Sequence, residues 1–320
     1  MNNAYGELAI HRWMLRDGVR NEGYRRAIAQ VVKPGDVVLD MGAGTGILSI
    51  FAAQAGARQV YAVERTEVVG VARRMIARNG FEDRITVVHE ELESVRLPEK
   101  VDVIISEWMG GFGVDENMLA PMTIARDRWL KPGGKIIPNR VTAYIAPASV
   151  SDFDDAMAHW QARQHGVDLS VIAEITTNEM FMTQTYLTPE DLLAEAKVMW
   201  SHDAYTCSLE EADRSFESKQ SFTSRHAGAF SGFVTWFAAE LCDGVTLTNA
   251  VGAPDTHWGR ILFPLDRAIE VAEGTPIQAE LHCDPAGQGS CEFYWSAQIA
   301  DGTREEHDTR RARQSRRTQF

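Results

Sequence analysis

The sequence predicts an α/β fold: a doubly wound parallel sheet over residues 1–140, then a mostly antiparallel barrel or sandwich over 141–320. Three observations carry this prediction. Short apolar runs alternate with helix-periodic segments as far as Pro138. Beyond Pro138, strand-like runs follow one another across turns rich in Gly, Asp and Pro. A glycine-rich turn, DMGAGTG, stands where the first strand meets the first helix of the sheet.

Taken in order, VVLDMG (37–42) is a short apolar run ending in an acid and a glycine, and ILSIFAAQAG (47–56) has helical spacing with a glycine stop. QVYAVE (59–64) reads as a strand, and 66–78 as a helix capped by Thr66 and stopped by Asn79-Gly80. RITVVHE and VDVIIS are two further strands. MLAPMTIARDRWLKPGG reads as a helix with Pro121 in its first turn, ended by Pro132 and the Gly133-Gly134 pair. Strand-like runs then cover 141–148, 181–186, 230–238, 259–265, 277–282 and 291–299, interrupted by a helical segment at 151–166.

A chain of 320 residues has room for one large or two moderate cores. Its 44% hydrophobic and 24% charged content is that of a soluble globular protein. No apolar run approaches the ~18 residues of a membrane span. The first residues, MNNAYGELAIHRWML, lack the basic start and apolar block of a secretion signal, so a cytoplasmic location is expected. Cys207, Cys242, Cys283 and Cys291 form no CxxC pair, which argues against a zinc ribbon or a disulfide scaffold and predicts reduced structural thiols. A net charge of −13 disfavours nucleic acid as a partner. The exception is RRARQSRR (310–317), read as a solvated, disordered basic tail.

Two segments point to chemistry. In VLDMGAGTG, Asp40, Gly42, Gly44 and Gly46 lie at a strand-to-helix turn, where glycines allow close backbone approach to a ligand. Glu64 ends the next strand, placed to accept hydrogen bonds from two ribose hydroxyls. The spacing is GxGxG rather than the GxGxxG of nicotinamide dinucleotides, and no GK[ST] of a P-loop is present. Asp40 would oppose a pyrophosphate but suits the cationic amino-acid end of S-adenosylmethionine. The second segment, SEWMGGFGVDENML (106–119), carries Glu107 and Glu116 on a glycine-rich loop after a central strand, flanked by Trp108, Met109, Met118 and Leu119. Two carboxylates in a lined pocket want a cation between them, and a guanidinium fork matches best.

With these residues the chain resembles the protein arginine methyltransferase family. SEWMGGFGVDENML is similar to that family's double-glutamate loop, and DTHWGR (255–260) to its threonine-histidine-tryptophan loop. IHRWMLRDGVRNEGYRRAI (10–28) is similar to its cofactor-covering helices, and VLDMGAGTG to its cofactor motif. The resemblance implies a Rossmann-like methyltransferase domain followed by an antiparallel β-barrel, with a dimerisation arm at about 151–172 and a homodimer. It implies that Glu107 and Glu116 bind the guanidinium, with Trp258 beside the substrate, and that His257 pairs with Asp17. It assigns Arg20 to the cofactor carboxylate, Glu64 to its ribose, Leu92 and Glu93 to its adenine, and Tyr5, His11 and Met14 to the cofactor lid.

The chemistry agrees: a guanidinium (pKa ~12.5 or above) offers no lone pair unless its charge is drawn toward other nitrogens. Two glutamates can do this, leaving alignment and electrostatics to drive the transfer. The chain departs from the family at Gly111, where a tyrosine is usual, and at Asp115, an additional acid. Gly111 is expected to open space around the substrate's alkyl chain, and Asp115 to meet the α-ammonium of a free amino acid. The expectation therefore leans to free L-arginine or a small guanidino compound. Arginine in proteins is the alternative, a non-catalytic scaffold of the same fold is a further one, and a dehydrogenase a distant third.

Overall fold

The structure is a computed structural model describing residues 6–183, 187–286, 290–300 and 302–317. Two helices come first, α1 (Leu8–Arg16) and α2 (Gly18–Val31), joined at Asp17. Asp17 caps α2 by accepting from the Arg20 amide at 2.8 Å. The alternating part follows as β1 (Val37–Met41), α3 (Ile47–Gln54), β2 (Gln59–Glu64), α4 (Val69–Arg78), β3 (Ile85–His89), β4 (Val101–Ser106), α5 (Leu119–Trp129) and β5 (Leu130–Ile137). Its strands pair in parallel in the order β3-β2-β1-β4-β5. The order reverses between β1 and β4, so the carboxyl ends of β1, β2 and β4 open onto one crevice. All five residues of β1 are buried, as a strand covered on both faces requires.

The antiparallel part begins at β6 (Arg140–Ala148), then α6 (Ser151–Gln161), α7 (Ser170–Thr176), β7 (Phe181–Thr183), β8 (Lys197–Asp203), the one-turn α8 (Leu209–Ala212) and β9 (Phe216–Thr223). It continues through β10 (Gly228–Cys242), β11 (Val245–Thr248), β12 (Arg260–Val271), β13 (Pro276–Pro285), β14 (Cys291–Ile299), β15 (Arg304–Asp308) and α9 (Thr309–Arg317). One sheet runs β7-β12-β10-β6-β8 with β11 on β10, and the other runs β15-β14-β13-β9. They meet over an aromatic core in which Phe263 of the first sheet packs edge-on to Trp295 of the second at 5.3 Å. The result is a barrel-like domain whose strands alternate inward and outward residues, as in β13.

Several elements differ from the sequence reading. The helix expected to be ended by Pro132 and the Gly133-Gly134 pair stops earlier, at Trp129, and LKPGGKII becomes β5, because Leu130 turns extended and its pairing with Val101 outweighs the local helical pattern. Thr66 does not cap α4; its amide is instead held by Glu64 Oε1 at 2.8 Å, and the helix starts at Val69. The helical segment 151–166 ends at Gln161. β8, β9, β11 and β15 were not foreseen, and residues 184–186 of the expected strand 181–186 lie outside the described residues. The basic tail is not a disordered segment: 309–317 form α9, seated by buried Ala312 and by an ion pair of Arg313 to Glu292 at 2.8 Å.

Candidate active site

The crevice at the strand ends is a cavity of about 490 Å³. Its walls include His11, Met14, Arg20, Gly42, Gly44, Glu64, Leu92, Glu93, Glu107 and Glu116, so ten of the predicted positions converge on it. Tyr5 lies outside the described residues. The glycine turn wraps the cavity with Gly42, Gly44 and Gly46 at φ 70°, 54° and 81°, in the left-handed region that side chains rarely adopt. At Gly44 a Cβ would also stand 3.1 Å from the His11 ring, which packs down from α1. Glu64, 8% exposed, accepts from the Gly44 amide at 2.9 Å and from the Thr66 amide, so its carboxylate is fixed at the end of β2.

Asp40 is not on the cavity wall but beneath it, 1% exposed. Ser49 donates to its Oδ2, while Oδ1 has no hydrogen-bond partner among the described residues. Burial pushes this carboxyl up to about 6, against the Ser49 hydrogen bonds that favour its charge. An orphaned carboxylate oxygen, a fixed Glu64 and a turn open to close approach fit a nucleoside ligand with a cationic amino-acid end. Glu64 would hold the ribose of S-adenosylmethionine, and Leu92 and Glu93 would flank its adenine.

The acidic loop begins where β4 is held from both sides. Tyr24 donates to the Ser106 carbonyl at 3.0 Å, and the Ser106 hydroxyl donates to the Met41 carbonyl at 2.8 Å. Glu107 Oε2 then accepts from Arg20 Nε at 3.2 Å and Nη2 at 3.1 Å, with both side chains below 10% exposed. The expected cofactor-carboxylate ligand is thus also an ion-pair partner of a glutamate expected to bind the acceptor. Beyond it, Phe112 is fully buried in the barrel against Trp200, Phe263 and Phe293, so the loop is nailed to the second domain.

Three expectations about this loop are corrected. Asp115 is not presented at the entrance: its carboxylate accepts from the amides of Gly111 at 2.8 Å and Phe112 at 3.1 Å and closes the loop on itself. Burial raises its pKa, and those backbone bonds oppose the rise. Gly111 leaves no free space either, because a Cβ there would lie 2.4 Å from Ile261 Cγ1, and at Gly110 it would strike the Asp115 carboxylate. These glycines make room for neighbours within the chain rather than for an acceptor. Trp258 does not line the cavity; it is 5% exposed, and its Nε1 donates to the Met109 carbonyl at 2.7 Å, bracing the loop from behind.

His257 meets Asp17 as expected. Asp17 Oδ2 lies 2.8 Å from both the His257 backbone nitrogen and its Nδ1. Burial of Asp17 opposes its charge, but the bonds from His257 and the Arg20 amide outweigh it and hold the carboxyl below its usual range. Neither residue lines the cavity. Their contact ties the joint of α1 and α2 to the barrel loop that carries Trp258.

Sequence reasoning missed Asn249. Its Nδ2 donates to the carbonyls of Gly111 at 2.8 Å and Gly259 at 2.7 Å, and its Oδ1 accepts from the Phe237 amide at 2.9 Å. It clamps the acidic loop to the 255–260 loop, and an isolated Asn after a strand gives no local signal of that. Arg260, within the DTHWGR segment, is 4% exposed and donates to the carbonyls of Asn249, Ala250 and Ala253.

The fold and this cavity define an S-adenosylmethionine-dependent methyltransferase. The description "Ribosomal protein L11 methyltransferase (PrmA)" fits residues 25–137, and "Arginine methyltransferase oligomerization subdomain" fits 139–292. The chain is 36% identical over 298 residues to protein arginine N-methyltransferase 6 of Danio rerio, covering 90% of this chain and 85% of that protein. Among solved structures it is similar to the Trypanosoma brucei PRMT1 enzyme-prozyme heterotetrameric complex with AdoHcy (TM-score 0.84, 28% identity, 95% and 98% of the two chains). It is also similar to Arabidopsis thaliana protein arginine methyltransferase 10 (TM-score 0.77, 31% identity, 95% and 97%). The chain belongs to the protein arginine methyltransferase family, and its activity is S-adenosylmethionine-dependent N-methylation of arginine.

Proposed function

We propose that the acceptor is arginine within a protein, replacing the expectation of free arginine. The observation that carries this reading is the inward turn of Asp115 onto the loop amides, which removes the carboxylate expected to greet a free α-ammonium. Ile261 filling the space beside Gly111 removes the other support for a small acceptor. The naming of relatives such as the Danio rerio enzyme as protein arginine methyltransferases supports the same reading.

When bound, S-adenosylmethionine supplies a methyl group activated by its sulfonium. Glu107 and Glu116 receive the substrate guanidinium from the two ends of one loop. Both Arg20 bonds fall on Oε2 of Glu107, so the ion pair fixes that carboxylate while Oε1 serves the acceptor. The two acids draw positive charge toward the nitrogens they bind, leaving the target nitrogen electron-rich. Held this way, the target nitrogen would be aligned to accept that methyl, with sulfur keeping the C–S electron pair, and the proton that nitrogen gives up would pass to solvent. Asp17 and His257 act as positioning residues, holding the helices that carry His11, Met14 and Arg20 against the barrel loop. Residues 1–140 thus supply the cofactor pocket and both acceptor glutamates, and 141–320 brace the loop that carries those glutamates.

Assembly through the arm at 151–172 forms part of this reading. Met157 is 4% exposed in the chain's own core, so it does not wait for a partner. Val167, Val171 and Ile172 are the exposed apolar residues there, at 57%, 55% and 42%, and Leu8, Trp13 and Val19 form a second exposed set on α1 and α2. A head-to-tail homodimer would bury both sets. The four buried free cysteines suit a reducing, cytoplasmic setting.

The acceptor is tested with labelled S-adenosylmethionine and equal concentrations of free L-arginine and an arginine-glycine peptide. Label in the peptide is the expected result. Preferential label in free arginine would return the reading to a small-molecule enzyme.

A further inference from the structure

We propose that Asp266, Glu305 and His307 form a divalent-metal site that joins the two sheets of the barrel. Asp266 lies on β12 of one sheet, and Glu305 and His307, two apart and therefore on one face, lie on β15 at the edge of the other. Their ligand atoms all fall within 4.8 Å of one another. None of the three lines the cofactor cavity.

The second observation comes from His307 itself. It is 2% exposed, its ring is stacked on Trp295 at 5.2 Å, and its Nε2 has no hydrogen-bond partner among the described residues. Glu305 Oε2 stands 3.5 Å away, an ion-pair contact outside hydrogen-bonding geometry. That oxygen is already held at 2.9 Å by the Asp266 amide, which brings the two carboxylate-bearing residues together across the sheets. A buried imidazole nitrogen with only a long ion-pair contact and no hydrogen bond is poorly satisfied, and two carboxylates around it repel one another. A cation coordinated by all three relieves both strains at once.

The other His-acid group of the barrel shows the contrast. At Glu217, Glu280 and His282 the Lys219 ammonium stands 2.7 Å from Glu217 and 3.1 Å from Glu280, so a cation is built into the chain. At Asp266, Glu305 and His307 no lysine or arginine makes an ion pair among the described residues. One imidazole and two carboxylates suit a borderline ion such as Zn²⁺, at ~2.0–2.2 Å from each ligand, with water completing the shell. Ligand atoms ~2.1 Å from a tetrahedral ion stand roughly 3.4 Å apart, so atoms already within 4.8 Å of one another would have to close by at most about 1.4 Å. The ion would act as a staple between β12 and β15 and not as a participant in methyl transfer.

The test is titration of the metal-free full chain with Zn²⁺ alone, read by calorimetry and by thermal unfolding. Wild type is expected to bind one equivalent saturably and to unfold at higher temperature with Zn²⁺. His307→Gln should lose that binding. Asp266→Asn, at an exposed position that leaves the core intact, should weaken it at least about tenfold. Absence of saturable binding by wild type, or binding by Asp266→Asn and His307→Gln equal to wild type, would overturn the site.

Discussion

The glycine turn and the acidic loop face each other across one cavity and are built in opposite ways. The turn is local: its glycines, Glu64 and Thr66 fall within one strand-helix-strand unit and bond to one another. The acidic loop is held by residues from far along the chain. Tyr24 fixes its start, Arg20 its first acid, Trp258 and Asn249 its middle, and the aromatic core of the barrel its Phe112. The glycine turn is therefore set by its own neighbours in sequence, whereas the acidic loop can be damaged from either domain. Arg20 is the exception that couples them, since it lines the cofactor cavity and binds Glu107.

The sharpest break is Gly44→Val. It places a β-branched side chain at φ 54° and against His11, so cofactor affinity should fall at least about a hundredfold, roughly 3 kcal/mol by calorimetry. The fold should survive, as judged by circular dichroism. Normal affinity would contradict the close approach assigned to that turn.

Asp40 gives a pH effect of similar size. Its raised pKa means that the folded chain holds a proton the unfolded chain has already released. Its contribution to stability therefore falls as pH rises from the ordinary carboxylate range to about 6 and stays lost above that. Asp40→Asn should remove this dependence. In urea unfolding without cofactor, the variant should gain about 2 kcal/mol on wild type between pH 4 and pH 7, at ~1.4 kcal/mol per pK unit. A constant difference across that range would contradict the burial of an uncompensated carboxyl.

Trp258→Phe probes the remote bracing. It keeps the ring and removes the Nε1 bond to Met109, leaving a buried carbonyl unpaired at a cost of about 1–2 kcal/mol. Turnover should fall about tenfold, with cofactor affinity within twofold of wild type. The smallest effect belongs to Asp115→Asn, which keeps one of two loop-closing bonds. Stability should drop by about 1 kcal/mol, and the preference between peptide and free arginine should not move. A shift in that preference would restore an acceptor contact to Asp115.

The same contrast explains what the sequence made legible. The turn, Glu64 and four of the five parallel strands, β1 to β4, could be read because period, spacing and stop signals lie within a few residues of the groups they place. Trp258 and the pairing of Asp17 with His257, 240 residues apart, came from resemblance to a family and not from any pattern in the chain. Gly111 and Asp115 were misread for one physical reason. A missing side chain reads as open space and an additional acid as exposed charge unless the groups that fill and satisfy them are known. Ile261 and the loop amides are those groups, and only closure of the barrel onto the loop brings Ile261 there. β15 and α9 were missed because charged residues alternate or cluster there, and only tertiary pairing makes them ordered elements.

The division of labour across the cavity is tested most directly by Glu116→Gln, measured twice: turnover at saturating cofactor with an arginine-glycine peptide, and cofactor affinity by calorimetry. Removing one carboxylate from a desolvated guanidinium site costs about 2–5 kcal/mol, so turnover should fall at least ~30-fold while cofactor affinity stays within about twofold. Near-normal turnover, or a loss of cofactor affinity as large as the loss of rate, would contradict the placement of Glu116 on the acceptor side.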